Sequence, residues 1–223
     1  MWNGFLWHDG WRMNYAIDFT YFLIALIVTL TVHEAAHAAV SYYLGDPTAK
    51  LAGRLSLNPI RHLDPIGSLV FLVTQQIGWG KPVPVNPSNF RHPVRDNALT
   101  ALAGPTSNFM LAFLMALIWK YLGIYIPTVL LTELQYIFHV SIFLGIFNLF
   151  PIPPLDGGNI LGLFVPRRYH RQYGNFLRNG VRYFVVIILV DVFILGNLFG
   201  FSFFGYVMGY LHEIVSAVLL LGT

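Results

Sequence analysis

The sequence predicts an all-α integral membrane protein, a polytopic helical bundle of about five to six transmembrane segments with a re-entrant or extended loop. Of its 223 residues, 56% are hydrophobic and 10% are charged, and the mean hydropathy is +0.62. Soluble domains are about 25% charged, so this chain has too little polar surface to cover a water-exposed globule. The apolar residues also lie in long blocks, which is typical of bilayer-spanning helices.

The composition excludes several kinds of site. The chain has no cysteine, which excludes a disulfide framework, a thiolate metal site and a cysteine nucleophile. The formal net charge is +3, but the basic residues lie between apolar segments and form no dense stripe that could follow phosphates. We therefore expect no nucleic-acid partner.

The first apolar block runs from about Tyr15 to Leu44 and is followed by the stop signals Gly45 and Pro47. At 1.5 Å per residue, a helix of this length crosses a hydrocarbon layer of about 30 Å with some tilt. The sequence therefore predicts that this block is the first transmembrane span.

The connection to the second span is irregular. Residues 66–78 are apolar but too few for the roughly 20 residues of a spanning helix, which predicts a re-entrant or interfacial segment. Residues 78–93 contain several prolines that forbid a continuous helix, and the KPVPV sequence within them favours an extended strand or sheet edge. His62, earlier in the connection, is expected to be a solvated loop residue.

Four further apolar runs complete the chain. Spans are predicted over about 98–123 and 129–150, and two shorter runs, about 183–198 and 203–221, form a hairpin joined near Gly200. We find no soluble insertion and predict one membrane-embedded domain over 1–223.

The positions of the basic residues predict the orientation. One group lies between the first and second spans and another follows the third span. Because the second and third spans cross the membrane in opposite directions, both groups lie on the same side. That side is expected to be the cytoplasm, with the N-terminus outside. The two groups are Arg54, Arg61, Lys81, Arg91 and Arg95, then Arg167, Arg168, Arg171, Arg178 and Arg182.

The first predicted span contains His33-Glu34-Ala35-Ala36-His37, an HExxH motif. On a helix the two histidines share one face and could both bind a Zn²⁺ ion, while Glu34 could reach the water that the metal activates and act as general base. Burial of such groups in an apolar helix costs several kcal/mol unless they are paired or bind a metal. The alternative is a buried polar patch that hydrogen-bonds to neighbouring helices.

A catalytic zinc site usually has a third protein ligand, and Asp156 is the candidate that matches in side and depth. It follows the third span, whose end lies on the same face as the end of the first. The Pro-rich turn 151–154 can end that helix early, and Gly157 and Gly158 allow a close approach of the backbone. Taken alone, the LDGG sequence would be an ordinary turn.

These residues resemble a known family. HEAAH in an early transmembrane helix, together with NLFPIPPLDGG at 148–158, resembles the site-2 protease family of intramembrane zinc metalloproteases. GWGKPVPVNP and LAGPTSN occur in the order found in compact prokaryotic members that lack PDZ and CBS domains. This likeness implies a prokaryotic cytoplasmic membrane. The resemblance covers roughly residues 32–158, which we expect to be the functional core.

The resemblance implies a role for each matching residue. His33, His37 and Asp156 would be the ligands of one zinc ion per chain. Glu34 would be the catalytic base and later proton donor, and Asn148 would polarise the scissile carbonyl or stabilise the oxyanion, which agrees with the chemistry of an amide donor near a metal.

Two smaller expectations stay open. Asn108 in the LAGPTSN segment is expected either to support the site or to hydrogen-bond between helices. The KPVPV segment could pair with an unwound substrate by strand addition, or it could be an ordinary loop.

We therefore predict an intramembrane zinc metalloprotease whose partners are the lipid bilayer and a transmembrane or membrane-associated protein substrate. One alternative is a membrane zincin of another family whose third ligand is Glu133 or Glu213. Another is a metal-binding membrane protein without catalytic activity, although nothing but chemistry requires a carboxylate at Glu34.

Overall fold

The computed structural model describes residues 15–74 and 80–220. Within these ranges the chain forms α-helices and short 3₁₀ turns and contains no β-strand. The predicted outward-facing N-terminus and residues 75–78 of the predicted re-entrant segment lie outside these ranges. The α-helices in chain order are α1 (Tyr15–Tyr43), α2 (Thr48–Leu51), α3 (Pro65–Thr74), α4 (Pro93–Leu122), α5 (Thr128–Leu149), α6 (Asp156–Ile160), α7 (His170–Arg178), α8 (Gly180–Leu189), α9 (Asn197–Phe199) and α10 (Phe203–Leu219).

Four helical stretches in the described part of the chain are long and apolar enough to cross a membrane. They are Ala16–Tyr43, Pro93–Tyr125, Thr128–Leu149 and Gly180–Phe199. A fifth apolar helix, α10, has 17 residues. The four spanning helices confirm an all-α polytopic membrane protein. With α10 counted as a further span the number would be five, the lower end of the prediction. That residues 1–223 form one domain stays a prediction.

Helices α1, α4 and α5 pack against one another and form the centre of the bundle, and α10 packs on α5. Small residues at the helix crossings, Ala25 on α1 and Ala112 on α4, are fully buried beside Phe138 of α5. Such residues let helix backbones approach closely, which matters in a bilayer because the hydrophobic effect does not drive helices together there and close packing must do so. A buried hydrogen bond of 3.0 Å between the hydroxyls of Thr29 and Ser141 joins α1 to α5.

The C-terminal hairpin turns where the sequence predicts it. Gly200 has a φ of +67°, a left-handed conformation that favours glycine. The expected shortness of the first arm is wrong, because the helical stretch begins at Gly180 and continues through a π-helical turn for 20 residues. Asp191 in this turn accepts hydrogen bonds from the Ser202 hydroxyl (2.5 Å) and the Phe204 amide (3.1 Å), which fixes the start of α10.

The connection between α1 and α4 follows the predicted pattern. The 10 residues of α3 are too few to span a bilayer. The segment from Gly80 to Asn86 is not helical, and Gly80 forms an isolated antiparallel bridge with Leu63. The Lys81 amide also donates to the His62 carbonyl at 2.8 Å. The KPVPV segment is thus an extended segment held against the preceding loop.

The end of this segment is held by the carboxylate of Asp46, a fully buried side chain just beyond α1. Asp46 accepts hydrogen bonds from the Thr48 hydroxyl (2.5 Å), the Asn86 amide (2.8 Å) and the Asn89 side chain (2.7 Å). Burial alone would raise the pKa of Asp46, but these hydrogen bonds outweigh burial and the pKa lies below its usual value.

We expect Asp46→Asn to destabilise the detergent-purified protein at neutral pH by about 1–3 kcal/mol, because the amide cannot accept all of these hydrogen bonds. A carboxylate with a lowered folded-state pKa stabilises the fold above its unfolded pKa, about 3.9, and this stabilisation is lost as the pH falls through the folded value. Thermal unfolding from pH 7 to 3 should therefore show a constant difference down to about pH 4 and a smaller one below it. A difference independent of pH across this range would contradict this role for the carboxylate.

Candidate metal centre

His33, His37 and Asp156 meet at one point inside the bundle. The two Nε2 atoms lie 2.9 Å apart. Asp156 Oδ2 lies 3.1 Å from Nε2 of His33 and 3.3 Å from Nε2 of His37. Both histidines are buried and Asp156 is half-buried. Among the described residues, no other group of three or more His, Cys, Asp or Glu side chains has its ligand atoms close enough together to hold a metal ion.

The sequence explains why these side chains converge. Residues 33 and 37 share one face of α1, and α5 ends at Leu149 so that the following turn brings Asp156 to the first position of α6. A Cβ atom on Gly157 would lie 2.2 Å from the Phe150 carbonyl oxygen, and one on Gly158 would lie 2.8 Å from the backbone nitrogen of Pro153. This close backbone approach is the one predicted for the two glycines.

The turn that carries Asp156 is also held from the opposite side. The Tyr173 hydroxyl on α7 lies within hydrogen-bond distance of the carbonyl oxygens of Gly158 (2.8 Å) and Asn159 (3.1 Å). Burial raises the pKa of Tyr173, so this hydroxyl keeps its proton at neutral pH and donates it. The position of Asp156 therefore depends on α7 as well as on the end of α5.

Gly104 of helix α4 lies against the two imidazoles, a contact that the sequence did not predict. A Cβ atom on Gly104 would lie 2.5 Å from Cε1 of His33 and 2.5 Å from Nε2 of His37. Real Cβ atoms essentially never approach other atoms this closely. The missing side chain at Gly104 therefore provides the space that the histidine rings occupy.

Hydrogen bonds on the far side of the rings set their tautomers. His37 Nδ1 lies 2.7 Å from the Thr100 carbonyl oxygen. A carbonyl can only accept, so Nδ1 carries the proton and Nε2 presents a lone pair to the cluster.

Asn108 lies in the corresponding position beside the other imidazole. Its side-chain amide is fully buried and lies 3.0 Å from His33 Nδ1. Its Oδ1 atom is buried and has no partner within the described residues. The two ends of a carboxamide exchange by a half-turn, which places Oδ1 on a protonated Nδ1 and again leaves Nε2 with a lone pair.

These observations test whether a metal fits. In these neutral tautomers two imidazole lone pairs and a carboxylate oxygen face one another, and Asp156 Oδ2 is buried without a hydrogen-bond partner in the described chain. Such an arrangement is repulsive unless a cation lies among the three atoms. Ligands at about 2.0–2.1 Å from a tetrahedral Zn²⁺ lie roughly 3.3 Å from one another, close to the observed spacing. The donor set suits zinc, and the three residues fit the ion.

Glu34, the predicted base, faces the extended segment. Its Oε2 atom accepts a hydrogen bond from the Val83 amide (3.1 Å) and lies 3.8 Å from Nη2 of Arg54. The side chain is thus held beside the KPVPV segment, one residue along the helix from His33.

Asn148 is not brought to the cluster by any hydrogen bond among the described residues. Its Nδ2 atom donates to the Leu144 carbonyl of its own helix at 3.0 Å, and its predicted role stays a prediction. Glu133 and Glu213, the alternative third ligands, are not members of the cluster. The expectation that His62 is solvated is wrong: it is fully buried, because it bonds to Arg54 (3.3 Å) and to the Ser56 carbonyl (2.7 Å).

Comparison with known proteins agrees with this site. The profile of "Peptidase family M50" matches residues 124–192. The chain is 45% identical over 154 residues to "Putative zinc metalloprotease YwhC" of Bacillus subtilis, covering 66% of this chain and 69% of that protein. It is 33% identical over 150 residues to "Putative zinc metalloprotease Rip2" of Mycobacterium tuberculosis, covering 65% of this chain and 57% of that protein.

A shorter match of 67 residues at 40% identity joins it to "Putative zinc metalloprotease MJ0611" of Methanocaldococcus jannaschii, covering 30% of this chain and 34% of that protein. No solved structure matches the chain significantly. The apolar helices, the histidine and aspartate cluster and these relatives agree, and the chain belongs to peptidase family M50, the site-2 protease family, as a membrane zinc metalloprotease.

Proposed function

We propose that this protein is an intramembrane protease that hydrolyses peptide bonds of transmembrane or membrane-associated proteins. It would hold one zinc ion per chain with His33, His37 and Asp156. The observation that carries the proposal is the meeting of three metal-binding side chains, two of them on a membrane-spanning helix, with the Glu34 carboxylate next to His33 on that helix. The helix rise places the two histidines roughly 9–15 Å from the end of α1 at Tyr43.

Zinc, when bound, supplies Lewis-acid chemistry that lowers the pKa of water and polarises a carbonyl. Glu34 takes the proton from the attacking water and then delivers it to the leaving amine. Its carboxylate is already oriented by the Val83 amide, and so little reorganisation is needed. Asn148 keeps a second amide hydrogen beyond the one given to Leu144, and we propose that it donates to the substrate carbonyl.

The substrate must unwind before its peptide bond is accessible, and the extended segment offers a template for this. The Lys81 amide bonds to the His62 carbonyl and the Val83 amide to Glu34. Among the described residues, no hydrogen bond is made by the Val83 carbonyl or by the backbone amide and carbonyl of Val85. We propose that strand addition occurs there, along residues 83–85.

We also propose that the protein lies in the cell membrane with its site towards the cytoplasm. The basic groups that follow α1 and α5 support this orientation because cytoplasmic loops carry an excess of Lys and Arg. Water would then enter from the end of α1 that lies nearest the cluster.

The proposal is tested by Glu34→Gln in detergent-purified protein, with fluorescein-labelled casein as an unfolded substrate. We expect the cleavage rate to fall by about 10²–10⁴-fold, because the amide cannot accept a proton. Zinc content should stay unchanged, since Glu34 is not a ligand. The matched control is Asp64→Asn, which changes a carboxylate outside the cluster in the same way and should cleave at the wild-type rate. Full cleavage by Glu34→Gln would overturn the general-base role, and zinc binding without any cleavage by wild type would favour a non-catalytic metal-binding protein.

A further inference from the structure

Arg54 is a buried arginine that faces the predicted base. It lies in the turn after α2, only 3% of its surface is exposed, and its guanidinium is 3.8 Å from the Glu34 carboxylate. Burial lowers the pKa of Arg54 and the Glu34 carboxylate raises it, but a guanidinium stays charged in proteins. A buried charge of this kind is costly to keep unless it is paired and hydrogen-bonded.

The guanidinium holds the extended segment by its backbone. Nη1 donates to the Pro82 carbonyl at 3.2 Å, and Nη2 donates to the Lys81 carbonyl. The next peptide group in the segment, the Val83 amide, donates to Glu34 at 3.1 Å. Arg54, three successive residues of the segment and Glu34 therefore form a closed ring of contacts.

His62 completes the arrangement from behind. Arg54 Nη2 lies 3.3 Å from His62 Nδ1, and because a guanidinium can only donate, Nδ1 accepts and the ring proton is on Nε2. That Nε2 donates to the Ser56 carbonyl at 2.7 Å, while the His62 carbonyl accepts from the Lys81 amide. The imidazole thus fixes the guanidinium, and its own backbone fixes the segment.

We propose that Arg54 is a positioning residue for the protease reaction. It holds the Glu34 carboxylate and the backbone of residues 81–83 in one frame, so that the base and the adjoining edge at residues 83–85 keep a constant spacing. A planar fork is needed for this, because a lysine ammonium cannot reach both carbonyls and the imidazole from one position. The inference rests on the proposed function for its catalytic consequence, but the positioning itself is testable without activity.

The first experiment measures positioning directly. The sequence contains no cysteine, so Val83→Cys provides a single thiol that keeps the backbone amide. We expect Arg54→Gln and Arg54→Lys to raise the rate of maleimide labelling at this thiol by about tenfold, because the segment opens more often. The control is Arg61→Gln, an exposed arginine of the same loop, which should label at the parent rate.

A double-mutant comparison tests whether Glu34 belongs to the same unit. Glu34→Gln should also raise labelling at Val83→Cys, and Glu34→Gln combined with Arg54→Gln should raise it by less than the product of the two single effects. If the double variant raised labelling by the full product of the two single effects, Arg54 and Glu34 would act independently and the proposal would be overturned.

The second experiment measures catalysis and zinc together. With casein as substrate, Arg54→Gln should lower kcat by about 10²-fold with a smaller change in KM, because a displaced base affects the transition state more than binding. Zinc content should equal that of wild type. Unchanged labelling and unchanged kcat would overturn the proposal, and so would a loss of zinc, which would make Arg54 a support of the metal site. If wild type cleaves nothing, the proposed function fails while the labelling result still decides whether Arg54 fixes the segment.

Discussion

Asp156→Ala should remove zinc from the purified protein, from about one ion per chain to a small fraction of that value, with an affinity loss of at least about 100-fold. Loss of a residue that merely orients a ligand already costs about 10–100-fold in metal affinity, and loss of a ligand costs more. Asp156 Oδ2 is one of three converging donor atoms and has no other role in the described hydrogen-bond network. Metal analysis of detergent-purified, size-fractionated protein measures this directly.

The matched control is Asp64→Ala, which removes a carboxylate of the same length that accepts the Gly67 amide at 2.7 Å and lies outside the cluster. It should retain the wild-type zinc content. Full zinc retention by Asp156→Ala would move the third ligand elsewhere, and Glu133 and Glu213 would then be the residues to change next.

The parts of the site that share one helix could be predicted from sequence. His33 and His37 stand four residues apart, and helix geometry alone places them on one face. Asp156 required the topology as well, because its approach depends on where α5 ends and on which side it emerges. The two glycines after Asp156 strengthened that prediction for a reason that the structure bears out: their backbone lies too close to its neighbours for a side chain.

The contacts made by α4 could be predicted only in part: support of the site was one of two roles expected of Asn108, whereas no role was expected of Thr100 or Gly104. Thr100, Gly104 and Asn108 follow one another at helical spacing, and in the structure all three meet the histidine rings. Their residue types are common at helix crossings in membranes, so their composition indicates packing and not a particular partner. The rotation of α4 about its axis decides which of its faces contacts α1, and the pattern of residue types in a single sequence does not predict this rotation.

The loop residues show a different limit. Arg54 contributed to the orientation argument only as a positive charge, and His62 was expected to be solvated, since polar residues in a Pro-rich connection usually are. Both are buried: the extended segment supplies carbonyl acceptors to Arg54, and the His62 imidazole bonds to Arg54 and to the Ser56 carbonyl. A pattern of residue types does not show that one loop covers another.

Gly104→Ala should abolish zinc binding almost as completely as the loss of a ligand. The added methyl group would lie 2.5 Å from atoms of both imidazoles and 2.6 Å from Nε2 of His33. Neither ring can retreat easily, because His37 is hydrogen-bonded to Thr100 and His33 to Asn108. The rings must therefore rotate away from Asp156 or α4 must shift, and either change separates the three donor atoms that the metal requires.

The control is Gly174→Ala on α7, a helical glycine whose added Cβ meets no atom within 4 Å. Alanine is favoured over glycine inside a helix by about 0.8–1.0 kcal/mol, so this variant should be at least as stable as wild type and keep its zinc. The same helix preference for alanine acts at Gly104, so it cannot explain a loss of zinc there. A folded, monodisperse Gly104→Ala protein without zinc therefore identifies a steric clash with the imidazoles as the cause. Wild-type zinc content in Gly104→Ala would mean that α4 lies further from the histidines than the structure places it, and the account of their tautomers through Thr100 and Asn108 would fall with it.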